Sequence, residues 1–230
     1  MDQNGDNVMS EESKTAHGEE IYSNYFSTPF YATTIDSWTD KLNKTCQPWL
    51  DDAHNTYKKE APERKSDFGF VYHSRDISTD PYLDFFTTWV LNTATNLLSG
   101  WGADLSNYTV MFESMWVQEF PKDGGGHHRI HIHENCHVSG FFFLQNDNAS
   151  YPLFHDPRPG TAMTALPEKN ENNLTSFTKT INYQPQPGAC YMFPSYFPHE
   201  YVVSKGGNFR FIHWNITAVQ NKHIGAGFGI

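Results

Sequence analysis

The residues able to do chemistry concentrate in one stretch of this 230-residue chain, HHRIHIHENCHVSGFFFL from His127 to Leu144. Read as a strand, two residues at a time, it places Arg129, His131 and His133 on one face and Ile130 and Ile132 on the other. Two imidazoles one strand repeat apart, just ahead of the turn-like Glu134-Asn135-Cys136, make a plausible half of a metal site, because neutral imidazole suits zinc, copper, iron and nickel. With 12 histidines in the chain some fall together by chance, so His-x-His alone is a weak signal. The other half-site is sought at His199, which ends the stretch FPSYFPH, and Arg210 follows inside the last strand-like segment.

These side chains need elements to hold them. From Tyr108 onward the spacing is period two, with strands expected over Tyr108–Phe120, Val138–Leu144, Tyr151–His155, Phe177–Tyr183, Ala189–Phe193, Glu200–Val203 and Phe209–Val219. Ahead of them the spacing is helical. A helix is expected over Ser37–Tyr57 with an interruption at Pro48, and a second over Pro81–Leu98. Asp80 would cap the second, Gly100 would follow its end, and its apolar face would hold Phe85, Trp89, Leu91, Ala94 and Leu98. Helices followed by seven or eight strands predict a mostly β fold, a double-stranded β-helix (jelly roll) with N-terminal helices packed on one sheet. Residues 1–21 read as a disordered, acidic N-terminus, 22–219 as one domain and 220–230 as a Gly-rich tail.

A formal charge of −10 disfavours a general affinity for nucleic acid or an anionic membrane, since each needs a basic footprint, although a local basic groove stays open. Cys46, Cys136 and Cys190 are odd in number and contain no CxxC pair, which argues against a disulfide framework and for reduced thiols in a cytoplasm. No apolar run approaches the roughly 20 residues a spanning helix requires.

HxHENCHVSGFFFL, DPRP, PGACYMFPSYFPHEY and FRFIHWNI, in that order and after an FSTPFY opening, resemble the jelly-roll 2-oxoglutarate- and iron(II)-dependent oxygenases. The nearest likeness is to a branch common in marine bacteria and their phages, and it covers about residues 22–218. The resemblance implies iron(II) held by His131, His133 and His199, 2-oxoglutarate as co-substrate with its far carboxylate on Arg210, and hydroxylation of an unknown substrate using O2, with release of succinate and CO2. A non-haem iron that must accept a bidentate oxo acid and O2 can give only one face to protein, hence three ligands. The chain departs from the pattern at His133, where most relatives carry Asp or Glu. Glu134 and Asp156 are the nearest candidate carboxylates, and His127, His128 and His137 read as loop or outer histidines. Arg210 shares parity with Ile212 and Trp214, from which an inward direction is expected; Arg158, Trp116 and Gln118 are further pocket candidates. Two alternatives stay open. One is a three-histidine, cupin-like dioxygenase that does not use 2-oxoglutarate, and the other is a non-catalytic jelly-roll binding or virion-associated module.

Overall fold

The change of spacing at Tyr108 marks where sheet takes over in the computed structural model, which describes residues 26–60, 71–120, 122, 127–147, 149–162 and 166–223. Before it come strand β1 (Tyr31–Thr34), helix α1 (Thr39–Glu60), the two-residue strand β2 (Tyr72–His73) and helix α2 (Asp84–Gly100). After it come β3 (Tyr108–Phe120), β4 (His127–His131), β5 (Val138–Asn146) and β6 (Tyr151–His155). The chain continues with β7 (Thr180–Asn182), β8 (Ala189–Pro194), β9 (His199–Val202) and β10 (Phe209–Gln220). These strands form two antiparallel sheets, in the orders β1-β8-β5-β10-β3-β2 and β4-β9-β6-β7. The fold is the expected jelly roll, mostly β with N-terminal helices. Expectations for residues 1–21 and for the tail beyond 223 lie outside the described residues.

Alternation along β10 divides the interior into two cores. Phe209 and Phe211 point between the sheets, into an aromatic cluster with Phe120, Phe141, Phe143, Phe154, Phe193 and Tyr201. Ile212, Trp214 and Ile216 point the other way, onto Leu42, Cys46 and Leu50 of α1 and Phe86, Val90 and Ala94 of α2. The six-stranded sheet is therefore buried on both faces, by the barrel on one side and the helices on the other. Gly140 is needed on the helical side: a Cβ there would lie 2.5 Å from the Trp214 ring.

The helices differ from expectation in three places. Pro48 does not interrupt α1, which runs unbroken through it. Pro48 is exposed, while Leu42, Cys46 and Leu50 anchor the opposite side in the core, so burial offsets the missing amide bond. Asp80 does cap the second helical segment, accepting the Tyr82 amide at 2.9 Å, but Pro81–Leu83 is a 3-10 turn and α2 extends through Gly100. Gly102, at φ +98, takes the left-handed position that ends it. The fully buried line of α2 is Phe86, Val90, Ala94 and Leu98, and Phe85, Trp89 and Leu91 pack beside it only half-buried.

Candidate metal centre

His131 and His199 face one another because β4 and β9 pair in a register that sets these two residues opposite. Their ring centroids are 4.4 Å apart. His133 lies two residues beyond the end of β4, where its backbone amide donates to the Ser195 carbonyl at 3.0 Å. That bond carries its ring to 5.0 Å from His131 and 5.2 Å from His199. One ring nitrogen from each of the three lies within 4.8 Å of the others, close enough to share an ion.

Two of the three are set in a definite tautomer. The His199 Nδ1–H donates to the Phe197 carbonyl at 3.0 Å and the His131 Nδ1–H to the Arg129 carbonyl at 2.8 Å. A carbonyl only accepts, so in each ring Nε2 carries the lone pair. The Nε2 of His199 is buried and has no hydrogen-bond partner. An orphaned acceptor of this kind, with its ring oriented by a carbonyl behind it, is the arrangement of a metal-ligating histidine.

The strand pattern anticipated these three positions but not the bulge in β4. The register shifts between His128 and His131, so His128 turns inward beside His131, Nδ1 to Nδ1 at 3.1 Å, while Arg129 is exposed and does not share the histidine face. Ile130 and Ile132 are exposed, as alternation predicts. Glu134 is exposed, and Asp156 is held by Arg158 in a two-bond ion pair of 3.0 and 2.7 Å; neither joins the cluster. His137 accepts the Ala218 amide at 3.1 Å. The side chain of His127 lies outside the described residues.

A fourth imidazole went unnoticed in the sequence. His213, fully buried on β10, bonds through Nε2 to Nε2 of His133 at 3.2 Å, stacks on Phe141 at 4.8 Å and meets the Trp116 ring at 4.4 Å. Its Nδ1 has no partner. The signal available was its parity with Phe209 and Phe211, which turns it inward. A second buried arrangement links the motifs VSG, FPS and HWN: Ser139 Oγ donates to the Asn215 side-chain oxygen at 2.7 Å and meets Ser195 Oγ at 2.9 Å. Ser195, which directly follows β8, is thereby fixed, and its carbonyl accepts the His133 amide.

All four imidazoles are held neutral. Burial, then repulsion from His131 and His128, lowers His133 to about 4. Burial is the leading cause for His199 and His213, both pushed well below the ordinary histidine value, and for the smaller lowering of His131. Neutral imidazole is the form that binds a metal.

Arg210 does not point into the barrel. Ile212 and Trp214, whose parity it shares, themselves face the helices, and the inference drawn from that parity therefore reverses. Its guanidinium pairs with Glu119 at 2.6 and 2.8 Å and donates to Asn43 and Gln47 of α1 at 3.1 and 3.2 Å. It ties the sheet to the helical layer. Trp116 and Gln118 do face inward: the indole N–H donates to the Gln118 side-chain oxygen at 3.0 Å, beside His213.

A jelly roll on which three neutral imidazoles converge is a scaffold that could hold a non-haem metal ion. Residues 114–212 match the family model described as "Putative 2OG-Fe(II) oxygenase", a family whose cofactors are iron(II) and 2-oxoglutarate. No curated protein sequence matches the chain. Among solved structures, it is similar to the non-heme alpha ketoglutarate dependent carbocyclase SnoK from nogalamycin biosynthesis, with 9% identity over 87% of this chain and 85% of that chain and a TM-score of 0.56. It is also similar to AviO1 from Streptomyces viridochromogenes Tue57, with 11% identity, coverages of 83% and 90% and a TM-score of 0.54. A Pseudomonas putida prolyl-4-hydroxylase gives 12% identity, coverages of 83% and 94% and a TM-score of 0.50. At such identities these likenesses show the fold.

The residues present fit iron, since the imidazoles are neutral and the His199 lone pair is buried without a partner. The far carboxylate of 2-oxoglutarate is another matter. Among the described residues no lysine or arginine belongs to the aromatic cluster between the sheets, and the one that is largely buried, Arg210, faces the helices.

Proposed function

We propose that His131, His133 and His199 hold iron(II), and that the protein couples oxidation of 2-oxoglutarate to hydroxylation of a second substrate with release of succinate and CO2. The observation that carries this reading is the convergence of three ring nitrogens within 4.8 Å. Iron, when bound, supplies redox chemistry and the coordination positions at which an oxo acid and O2 can meet. The protein's own part is orientation and exclusion of water. The carbonyls of Phe197 and Arg129 hold two rings with Nε2 forward, and His213 braces the third. Phe141, Phe154 and Phe193 pack around His199 at 5.6, 5.8 and 5.1 Å and keep that side dry.

The test is anaerobic addition of iron(II) and then 2-oxoglutarate, followed in the visible spectrum. A metal-to-oxo-acid charge-transfer band is expected, and His199→Ala should lose both iron and band; full iron stoichiometry in that variant would reject the site. A second reading, a three-histidine dioxygenase working without 2-oxoglutarate, is favoured by the outward direction of Arg210 and by an aromatic cluster between the sheets that includes no lysine or arginine among the described residues. Iron binding with no band at any 2-oxoglutarate concentration would select it.

A further inference from the structure

The metal centre leaves unused a cleft of about 460 Å³ between the end of β6 and the start of β7. Phe154 and Phe197 line it. Both belong equally to the metal centre: Phe154 is 5.8 Å ring to ring from His199, and the Phe197 carbonyl holds the His199 ring. Ile181 and Tyr183 extend the apolar surface, and Arg158 and Lys179 stand among the lining residues with Asp156. Asp156 is engaged with Arg158, and Arg158 also donates to the Ser176 carbonyl at 3.1 Å, which sets the direction of its guanidinium. Lys179 is exposed and has no ion-pair partner among the described residues. Two cations against one carboxylate leave the lining with a net positive charge, in a chain that carries −10 as a whole.

We infer that this cleft is a carboxylate-binding subsite of the oxygenase: an organic acid lays its apolar body on Ile181 and Tyr183, with the buried Phe154 and Phe197 as the wall toward the metal centre, and its carboxylate reaches Lys179 and Arg158. The inference deepens the oxygenase reading and rests on it for the nature of the neighbouring centre. One chemistry has two possible sources here, the far carboxylate of 2-oxoglutarate and an acid group on the primary substrate. Arg210, turned to the helices, serves neither. A partly hydrated cationic rim binds a carboxylate without the cost of burying an unmatched charge among phenylalanines.

The experiment uses the full chain loaded with iron(II) under anaerobic conditions. 2-Oxoglutarate is titrated by the charge-transfer band, and 3-phenylpropionate and its neutral amide are titrated by calorimetry. In the unmodified protein the acid should bind about tenfold tighter than the amide, as one charge-assisted contact implies. The double variant Arg158→Gln/Lys179→Gln should lose that preference, whereas Lys169→Gln, outside the cleft lining, should keep it. Asp156→Asn, which frees Arg158, should tighten the acid several-fold, a gain that mere structural damage would not produce. If the double variant weakens 2-oxoglutarate by about tenfold, the carboxylate is the co-substrate's; if it weakens only 3-phenylpropionate, it is the primary substrate's. Either result supports the subsite. Equal binding of acid and amide, or affinities unmoved in the double variant, would overturn it. Failure of the oxygenase reading is separately visible, as iron binding with no charge-transfer band in the unmodified protein.

Discussion

Single side chains divide here into the three imidazoles proposed to meet the ion and the residues that hold those imidazoles in place. His213 belongs to the second group, because its Nε2 bonds to His133 and its ring is clamped between Phe141 and Trp116. Replacing His213 by Ala should leave iron stoichiometry near one and weaken iron affinity by about tenfold or more, the usual cost of losing an orienting partner. Competition against a chelator measures this, and an unchanged affinity would make His213 a packing residue only. Arg210 works at a distance from the site. Its pair with Glu119 is largely buried, with side-chain exposures of 12% and 5%, so Arg210→Ala strands a carboxylate and should cost about 3 kcal/mol. Urea unfolding should show that loss while iron affinity stays constant. A variant as stable as the parent would mean that Glu119 finds another partner, of which His54 at 3.2 Å is the nearest candidate.

Among the elements, β10 is the one on which both cores depend, since Phe209, Phe211 and His213 serve the barrel and Ile212, Trp214 and Ile216 serve the helices. Its neighbour β5 must approach it closely at Gly140, under the Trp214 indole. Gly140→Ala places a methyl 2.5 Å from that ring and should destabilise the protein by about 1–3 kcal/mol through overpacking. Thermal unfolding would register the change, and a silent substitution would show that the indole can shift without loss. The FPS turn before β9 is the other critical element. Its Ser195 meets Ser139 and, through it, Asn215, so the turn that delivers His199 also fixes the backbone of His133.

At the scale of the whole molecule, the helical layer, the double-faced sheet and the small sheet together bury a run of imidazoles that water would otherwise protonate below neutrality. The folded state holds His133 at about 4, and His131, His199 and His213 also below 6.5. Above about pH 6.5 both folded and unfolded chains carry neutral histidines, and the full stability is present. Below it the unfolded chain takes up protons that the folded chain refuses, so stability falls as the pH drops through the window from 6.5 toward about 4 for His133. The slope is up to about 1.4 kcal/mol per pH unit for each such histidine. Urea midpoints of the metal-free protein at pH 7, 6 and 5 should decrease in that order, and a flat series would contradict the burial described. No described helix is long and apolar enough to cross a membrane.

Much of this was legible in the chain itself. Period-two spacing from Tyr108 carried the strands, because alternation is dictated by the pleat, and Asp80-Pro81 carried a helix start because the cap chemistry is local. The parity of His131 and His133 and the position of His199 after FPS placed three imidazoles where they meet, though β4 reached that result through a bulge that alternation does not encode. What sequence could not supply was the direction of β10. Alternation says which residues share a face but not which face looks inward when both sides of a sheet are buried, and Arg210 was assigned to the wrong one for that reason. Only tertiary structure decided that His213 belongs to the histidine cluster, that Glu119 neutralises Arg210, and that the cationic rim stands at Arg158 and Lys179. Each depends on contacts between segments tens of residues apart, which local pattern does not record.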